Sequence, residues 1–570
     1  MVHVSHFFTR YLTTCAILLC GYCKLNAQDI LWEKSYGGKH ADYLFDVIPT
    51  PDYGFILVGS SLSKKTGNKT EDNLGDLDYW VWKMDEKGEL DWQKSFGGSG
   101  QDMLRSVLLT NDGGFLLAGS SQSEEGLDKK GKSRGDSDFW IIKLNAKGGE
   151  EWQKTIGGSG QDELNGILRT RDGGFILAGS SSSEKSGEKT SENFGGFDYW
   201  VLKIDTKGEI VWQNSFGGIY NDELRSIALT QDGGYILGGS SNSPASPSPS
   251  KGGESYGNKT ESCLGQADYW IVKLDDKGKE QWQKVIGGTG DDQLYVIHQT
   301  STGNYILGGN SNSESGEGKS KGNESGTDFW VVSLDVTQQI LWQETYNIAK
   351  VDVLTSLVEN DDHTILLGGY AQGEVVKRDK GKVISRKGGE TLNQVQGKMK
   401  KGTADYVAIK INDKGEELWR KNVGSDGEDI LKKVIETRDG GYLMAGTSLT
   451  PALSKGEGVK ISGDRNSGVG SNDFWVVKLK DKQKPKVDKK PVEAIPNPAT
   501  NYTNVIVGYD YTKGTATLVD IAGHMLQTFA ITERTIPINL EGLPEGIYIV
   551  NIRTDVQNSG VKVIKQRNKN

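Results

Sequence analysis

Tryptophan recurs along this 570-residue chain at a nearly constant interval, and this repetition restricts the fold more than any other feature. The first series has members close to sixty residues apart: Trp32, Trp92, Trp152, Trp212, Trp282, Trp342 and Trp419. The second series mostly follows Asp-Tyr or Asp-Phe and has Val407 in place of its sixth member: Trp80, Trp140, Trp200, Trp270, Trp330 and Trp475. Residues repeated in every unit build a scaffold rather than one active site, so these indoles are predicted to be structural.

Each repeat reads as four short β-strands. In the second copy these are "MLRSVLLT" from Met103, "GFLLAGSS" from Gly114, "DFWIIKLN" from Asp138 and "EEWQKTIG" from Glu150. The turns "NDGG" and "NAKGG" contain glycine and are typical of tight hairpins. A four-stranded unit repeated seven times is what a β-propeller requires, and an open solenoid is the competing architecture.

The two ends of the repeat region favour a closed ring. The region begins with a lone fourth strand at Ile30 and finishes on a lone third strand at Asp473, so each end lacks the strand that the other supplies. Pairing them would remove two exposed strand edges. We therefore predict an all-β protein: a seven-bladed β-propeller over residues 28–479, closed by its N- and C-terminal strands, and then a small immunoglobulin-like β-sandwich.

The N-terminus has the features of a secretory signal peptide. Arg10 precedes an apolar run at residues 11–23, and small residues end at Ala27. A membrane anchor is the alternative, but the run is too short to span a bilayer comfortably. We expect residues 1–27 to be removed between Ala27 and Gln28, with no transmembrane segment in the remainder. Only Cys263 would then remain, so no internal disulfide is expected and the core alone must hold the fold.

The composition changes after the last repeat. Residues 480–494 include "KDKQKPKVDKKPVEA", whose lysines and prolines predict an extended, solvated linker. Residues 495–570 alternate apolar and polar positions between Gly and Asn turns, which indicates a separate small antiparallel sandwich.

Two resemblances extend this interpretation. The strand order of the repeat resembles WD-repeat propellers, and its motifs "WQKxxGGxxxD", "DGG[FY]ILxGSS" and "DYWVxKLD" resemble repeats of secreted bacterial surface propellers, a group without one agreed chemistry. The segments "PNPATN" at Pro496, "DIAGHML" at Asp520, "LEGLPEGIYIVNI" at Leu540 and "KVIK" at Lys562 resemble the type A C-terminal sorting domain of type IX secretion cargo. That resemblance implies a partner, the type IX machinery, acting through residues 495–570. It also implies a location at the outer-membrane surface or outside the cell. An ordinary immunoglobulin-like accessory module is the alternative.

The sequence contains no motif that indicates an enzyme or a cofactor. "GEGKS" around Lys319 has Ser313 in place of the first glycine of a phosphate loop and no strand leading directly into a helix. The histidines lack zinc spacing, so no catalytic, cofactor-binding or metal-binding residue is expected. An aspartate recurs once per repeat: Asp42, Asp102, Asp162, Asp222, Asp292, Asp352 and Asp429. These aspartates are predicted to cap turns, with a calcium role as the alternative. The net charge of −9 gives no indication of nucleic-acid binding.

Function is therefore expected where the repeats differ. The loops between strands two and three vary in length and are predicted to share one face. The loop at residues 371–404 has nine Lys or Arg against three acidic residues, and it belongs to the irregular sixth repeat. An anionic glycan or a surface protein is the expected partner, and the candidate binding residues are Lys377, Arg378, Lys380, Lys382, Arg386 and Lys387. The alternatives are a secreted polysaccharide hydrolase or lyase, and a structural component of a surface matrix.

Overall fold

A computed structural model describes residues 28–246, 256–323, 326–373, 404–425, 427–449, 472–482, 484 and 487–567. All the regular secondary structure of these residues is β-strand, and 28 of the strands precede the C-terminal module. Ala27 lies outside the described residues, whereas Gln28 is the first residue of strand β1 (Gln28–Tyr36).

Six consecutive antiparallel sheets follow β1, each formed by four strands in chain order. The strands of the first three sheets are β2 (Asp42–Pro49), β3 (Phe55–Ser61), β4 (Asp78–Met84), β5 (Leu90–Phe96); β6 (Asp102–Leu109), β7 (Phe115–Ser121), β8 (Asp138–Leu144), β9 (Glu150–Ile156); β10 (Asp162–Arg169), β11 (Phe175–Ser181), β12 (Asp198–Ile204) and β13 (Ile210–Phe216). Those of the next three are β14 (Asp222–Leu229), β15 (Tyr235–Ser241), β16 (Asp268–Leu274), β17 (Glu280–Ile286); β18 (Asp292–Gln299), β19 (Tyr305–Ser311), β20 (Asp328–Leu334), β21 (Ile340–Tyr346); β22 (Val351–Glu359), β23 (Ile365–Gln372), β24 (Ala404–Ile411) and β25 (Glu417–Val423).

The seventh sheet joins both ends of the repeat region. It consists of β26 (Asp429–Glu436), β27 (Tyr442–Ser448), β28 (Asp473–Asp481) and β1, in the order β1-β28-β27-β26. The pairing is antiparallel, with Tyr36 opposite Phe474 and Gln28 opposite Asp481. The pairing that the sequence predicts between these two ends is therefore present, and β1 serves as the outer strand of the last blade.

The sheets pack side by side around a common centre. The first strand of each sheet contacts the first strand of the next, and β2 contacts both β26 and β6. The first strands therefore lie innermost, and the fourth strands lie outermost. This arrangement is a β-propeller built from seven four-stranded blades.

Aromatic stacking across blade boundaries explains the Asp-Tyr-Trp and Asp-Phe-Trp repeats. Tyr79 of the first blade stacks on Trp140 of the second with ring centroids 4.7 Å apart, and its hydroxyl donates to the Trp140 carbonyl. The same stacking joins the seventh blade to the first, where Phe474 and Trp80 are 4.6 Å apart. Each such pair buries two large aromatic side chains. The contact that holds neighbouring blades together therefore also joins the last blade of the propeller to the first.

The two tryptophan series are buried to different degrees. The strand-three indoles are fully buried. One of them, Trp140, donates a hydrogen bond from Nε1 to Gln153. Most of the strand-four indoles are only half-buried: Trp92 packs edge-on against Phe115 of the next blade and keeps one side in solvent. The difference arises because the outermost strands have no further strand to cover them.

The C-terminal module is a sandwich of two antiparallel sheets. One contains β29 (Val492–Ile495), β30 (Tyr502–Val507) and β33 (Thr535–Asn539); the other contains β31 (Gly514–Asp520), β32 (Met525–Ile531), β34 (Gly546–Thr554) and β35 (Asn558–Lys565). Their inner faces share one apolar core. The module begins at Val492, before the expected residue 495, because Val492 and Ala494 pack against that core. The last propeller strand likewise extends past the expected Leu479 to Asp481.

Candidate binding site at the channel mouth

The propeller has two different ends. The hairpin-turn face is formed by the turns between strands one and two and between strands three and four, such as residues 110–114 and 145–149. The loop-bearing face is formed by the loops between strands two and three together with the Gly-Gly turns between blades. Each innermost strand starts at the loop-bearing face and ends at the hairpin-turn face, so the first residues of these strands surround the channel mouth on the loop-bearing side.

The repeated aspartates cap backbone groups at this mouth. The Asp162 carboxylate accepts hydrogen bonds from the Gly158 N–H at 2.7 Å and from the Ser183 hydroxyl at 3.0 Å. Asp102 makes the same two contacts with Gly98 and Ser123. Since the interaction recurs from blade to blade, the carboxylates serve the turns between blades, as the sequence indicates.

A buried lysine, which the sequence analysis missed, anchors the variable loops in the first five blades. Lys129 is 1% exposed, and its Nζ donates to the Ser123 carbonyl at 2.5 Å. Lys69, Lys189, Lys259 and Lys319 make the equivalent contact. Lys319, the lysine of "GEGKS", therefore holds its own loop, and the signal was the lysine's recurrence at one loop position in successive repeats.

A second set of buried lysines stabilises the hairpin-turn face. Lys143 forms ion pairs with Asp112 and Glu151, each at 2.8 Å, and so joins the first hairpin turn of its blade to strand β9. Lys83 pairs in the same way with Asp52 and Asp91. These charges are neutralised within the scaffold and are not available to a ligand.

The six candidate residues of the basic loop lie outside the described residues: Lys377, Arg378, Lys380, Lys382, Arg386 and Lys387. The strands on either side are described. β23 ends at Gln372 and β24 begins at Ala404, opposite each other, and both residues are at the loop-bearing end of the sixth blade.

The innermost strands contain one position that varies from blade to blade. In each blade a β-bulge inserts one extra residue three positions after the repeated aspartate, for example between Leu104 and Ser106. A bulge changes the direction of a side chain, and bulges are common next to functional sites. The seven inserted residues share no chemical type: Phe45, Arg105, Asn165, Arg225, Tyr295, Thr355 and Lys432.

Some of these side chains are used by the scaffold. Asn165 donates to the Leu224 carbonyl at 2.8 Å, and Thr355 donates to the Leu431 carbonyl at 2.9 Å. Each bond reaches the innermost strand of the next blade. Asn165 and Thr355 therefore help to join the blades.

The other inserted residues form a mixed group of cations and aromatic rings. The Arg105 guanidinium lies 4.5 Å from the Phe45 ring centre, and the Lys432 ammonium lies 5.8 Å from the same ring. Arg225 lies 5.9 Å from the ring of Tyr295. These contacts cross blade boundaries, so the side chains extend around the channel.

The cations also affect each other's pKa values. Burial is the main cause of a lowered pKa at Arg105; Glu163 opposes this shift, and the charge of Arg225 adds to it. Burial followed by the charge of Arg105 lowers the pKa of Lys432. Arg105 belongs to the second blade, Arg225 to the fourth and Lys432 to the seventh. Arg105 is therefore two blades away from each of the other two cations.

The sixth blade contributes one more ring. Position 370 holds tyrosine, where the other blades have Ser60, Ser120, Ser180, Ser240, Asn310 and Thr447. Tyr370 lies near the loop-bearing end of β23, opposite Val353 of the innermost strand. Burial raises the pKa of its hydroxyl, with smaller effects from Tyr295 and Glu428. We use the name channel-mouth cluster for Phe45, Arg105, Arg225, Tyr295, Tyr370 and Lys432.

Two acids of neighbouring blades lie beside this cluster, and both have partners. Glu163 accepts from the Ser137 hydroxyl at 2.9 Å, and Glu223 pairs with Arg225 at 2.5 Å. Among the described residues, no group of three or more His, Cys, Asp or Glu side chains is placed to hold a metal ion.

The C-terminal module packs on the hairpin-turn face. The Tyr502 hydroxyl donates to the Thr110 carbonyl at 3.2 Å. Arg438 stacks on Tyr53 at 4.2 Å and pairs with Glu493 at 2.5 Å. A cavity of about 600 Å³ lies beside this contact and is lined by residues such as Trp32 and Lys489, where the linker crosses the closing blade. These contacts lie at the end of the propeller opposite the channel-mouth cluster.

The C-terminal strands coincide with a known export module. Residues 493–566 match the secretion system C-terminal sorting domain. This module is a type IX sorting domain. It indicates export to the cell surface or the extracellular space, and it makes the chain a secreted β-propeller protein. No helix in the described part of the chain has the length and apolar character needed to cross a bilayer.

Similarity to other proteins is more distant. The chain is 24% identical over 200 residues to the regulatory protein FlaEY of Caulobacter vibrioides, a match that covers 33% of this chain and 21% of that protein. The chain thus spans about a fifth of that relative's length.

Solved structures that resemble the chain are also distant in sequence. The Pan2 WD40 domain of Neurospora crassa is 10% identical with a TM-score of 0.29, covering 68% of this chain and 91% of that domain. The Synechocystis apocarotenoid oxygenase is 13% identical with a TM-score of 0.34, covering 74% and 91%. PorZ, a surface component of the type IX secretion system of Porphyromonas gingivalis, is 10% identical with a TM-score of 0.23, covering 96% and 88%.

Proposed function

We propose that this protein is a non-catalytic extracellular β-propeller that binds a glycan or a protein partner through its loop-bearing face. One observation carries the proposal: the repeated polar residues are occupied in scaffold contacts, and the residues that differ between blades gather at the channel mouth on that face. A scaffold of equivalent blades that positions dissimilar side chains at one end is suited to recognition.

The position of the sorting domain also favours the loop-bearing face as the site of binding. Its contacts with the propeller involve hairpin turns, through residues such as Thr110 and Tyr53. A partner approaching the loop-bearing face would meet the propeller from the opposite end. Export and recognition are then assigned to different ends of the propeller.

The basic loop of the sixth blade belongs to this proposal. Its six candidate residues, from Lys377 to Lys387, lie between strands that end and begin at the loop-bearing face. A cationic segment on an acidic protein favours an anionic partner, because it concentrates positive potential in one region.

A hydrolase or lyase would need different chemistry at the mouth. Glycoside hydrolysis uses two carboxyl groups, one of which must donate a proton and the other act as base or nucleophile. Glu223 is paired with Arg225, and Glu163 is hydrogen-bonded to Ser137. These partners favour a supporting role for both acids, and we therefore prefer the binding hypothesis.

The test is a glycan array probed with the chain lacking its predicted signal peptide. We expect binding to acidic glycans, and loss of that binding when the six candidate residues of the basic loop are changed to glutamine. A matched control changes five exposed lysines in the hairpin turns to glutamine and should keep full binding: Lys87, Lys147, Lys207, Lys277 and Lys414.

Three outcomes would contradict the proposal. Equal binding by the loop variant and the control would remove the basic loop from the site. Release of shortened or unsaturated sugars during incubation would show an enzyme. Self-association without added ligand, together with an empty array, would indicate a surface-matrix component.

A further inference from the structure

The cations of the channel-mouth cluster are unequally neutralised. Arg225 has an ion pair with Glu223. Arg105 instead contacts the Met103 sulfur at 3.8 Å and the Phe45 ring, and Lys432 contacts that ring. Within the described residues, neither Arg105 nor Lys432 has a carboxylate at ion-pair distance, which leaves two partly buried positive charges in contact with the same ring.

Unneutralised charges in a partly buried site are costly unless an opposite charge is brought to them. The Nε atoms of Arg105 and Arg225 are buried and have no hydrogen-bond partner within the described structure. A guanidinium and an ammonium that contact the same ring offer several N–H donors to a carboxylate or a sulfate. The mouth of the channel is thus suited to an anion.

The rings add a second requirement. Phe45, Tyr295 and Tyr370 belong to three different blades. Phe45 and Tyr295 each contact an arginine, and Tyr370 lies near the loop-bearing end of its strand. An inorganic ion would use the cations and leave the rings unused. A sugar ring has an apolar face that packs on aromatic side chains, while its substituents reach polar groups.

We propose that the channel-mouth cluster binds an anionic saccharide, with the acidic group held by Arg105 and Lys432 and the sugar ring packed on Phe45, Tyr295 and Tyr370. This deepens the proposed function of the loop-bearing face and rests on it. The acidic group is a carboxylate or a sulfate ester, since both accept hydrogen bonds from the same donors.

Tyr370 provides a specific test of this assignment. In the other blades the equivalent side chain accepts the N–H of a buried leucine in the next blade, as Ser120 does from Leu164 at 2.8 Å. Tyr370 provides no such contact to Leu431 in the described structure, so the sixth blade loses a scaffold bond where it gains a ring. Tyr370→Ser should therefore remove ligand contact without weakening the fold.

The experiment is isothermal titration calorimetry with the chain lacking its predicted signal peptide. The probes are tetragalacturonate, N-acetylglucosamine 6-sulfate, cellotetraose and sodium sulfate, so that a carboxylate, a sulfate ester, a neutral sugar and an inorganic anion are compared. We expect binding of at least one acidic sugar that weakens with added salt, and much weaker binding of cellotetraose and of sodium sulfate.

The variants are Arg105→Gln, Lys432→Met and Tyr370→Ser, with Lys147→Gln on the hairpin-turn face as the control. Each of the three cluster variants should weaken acidic-sugar binding by about tenfold, and the control should bind like the native chain. The Tyr370→Ser variant should have a Tm at or above that of the native chain, which separates lost contact from lost folding.

Each other outcome would overturn the assignment. Failure of both acidic sugars to bind would do so, as would undiminished binding by the Arg105→Gln, Lys432→Met double variant. Equal affinity for sodium sulfate would reduce the site to an anion pocket, and equal affinity for cellotetraose would exclude a role for the cations. If the basic-loop variant loses glycan binding while the double variant keeps it, the proposed function stands and this site fails.

Discussion

The hydrogen bond between a strand-two side chain and the next blade allows a quantitative test of how the blades are joined. The Ser120 hydroxyl is 4% exposed and accepts the Leu164 N–H at 2.8 Å. Ser120→Ala would leave that buried N–H without its side-chain partner, at a cost of about 1–3 kcal/mol. For a cooperative unit of this size, this corresponds to a decrease in Tm of about 1 to 3 °C.

Differential scanning calorimetry of the chain lacking its predicted signal peptide would measure the change. The control is Ser99→Ala, which alters an exposed serine in a turn between blades. The reciprocal variant, Tyr370→Ser, supplies the missing hydroxyl opposite Leu431 and should have a Tm equal to or above that of the native chain. If Ser120→Ala and Ser99→Ala melt together, the bond between blades contributes nothing measurable, and the reasoning is refuted.

The remaining predictions concern pH, backbone strain and the two chain ends. Burial raises the pKa of Asp198 to about 8, whereas the unfolded group titrates near 4. Between these values only the unfolded chain loses the proton, so the free energy of unfolding should fall as pH rises from 4 to 8. Urea titrations should show a shallower decrease in Asp198→Asn. His363 has a φ of 61°, in a position where five of the other six blades use glycine and the first blade uses Tyr53. His363→Gly should raise Tm by about 1 °C, and a lower Tm would mean that the His363 contact with Ser301 outweighs the strain. Arg438→Ala removes the stack on Tyr53 and the pair with Glu493. It should speed proteolysis within residues 480–491, and an unchanged rate would show that these contacts do not hold the sorting domain. Deletion of residues 28–36 leaves β28 with an open edge and should cause aggregation on gel filtration, whereas a monomer would show that β1 is dispensable.

The strands and the closed circle of blades could be predicted because both depend on residues that recur in each repeat. Alternation and glycine turns located the strands of the second blade to within two residues, and the unmatched strands at Ile30 and Asp473 indicated the pairing of β1 with β28. The sorting domain was predictable from its own motifs and is confirmed by the match at residues 493–566.

The channel-mouth cluster was not predictable because its members differ by definition. Arg105 and Tyr295 occupy the same position in their blades, but a bulge rather than a sequence pattern directs them to the channel. Comparison of the repeats at that one position would have revealed that the residue varies, but not where its side chain lies in the fold. Lys129 was missed for another reason: lysine is usually exposed, and only the fold shows that its ammonium is enclosed by its own loop.

The pairing of β1 with β28 has a consequence for the order of folding. β1 is synthesised before every blade, whereas β28 follows the last complete pair of strands, so the seventh sheet cannot be completed until nearly the whole repeat region has been made. Until then the growing arc exposes Trp80 at one end, since its partner Phe474 is still missing. Contacts between such distant segments form slowly. Once formed, they join the first and last strands to be made, so the ring cannot open into an arc at the seventh blade without breaking the β1–β28 hydrogen bonds.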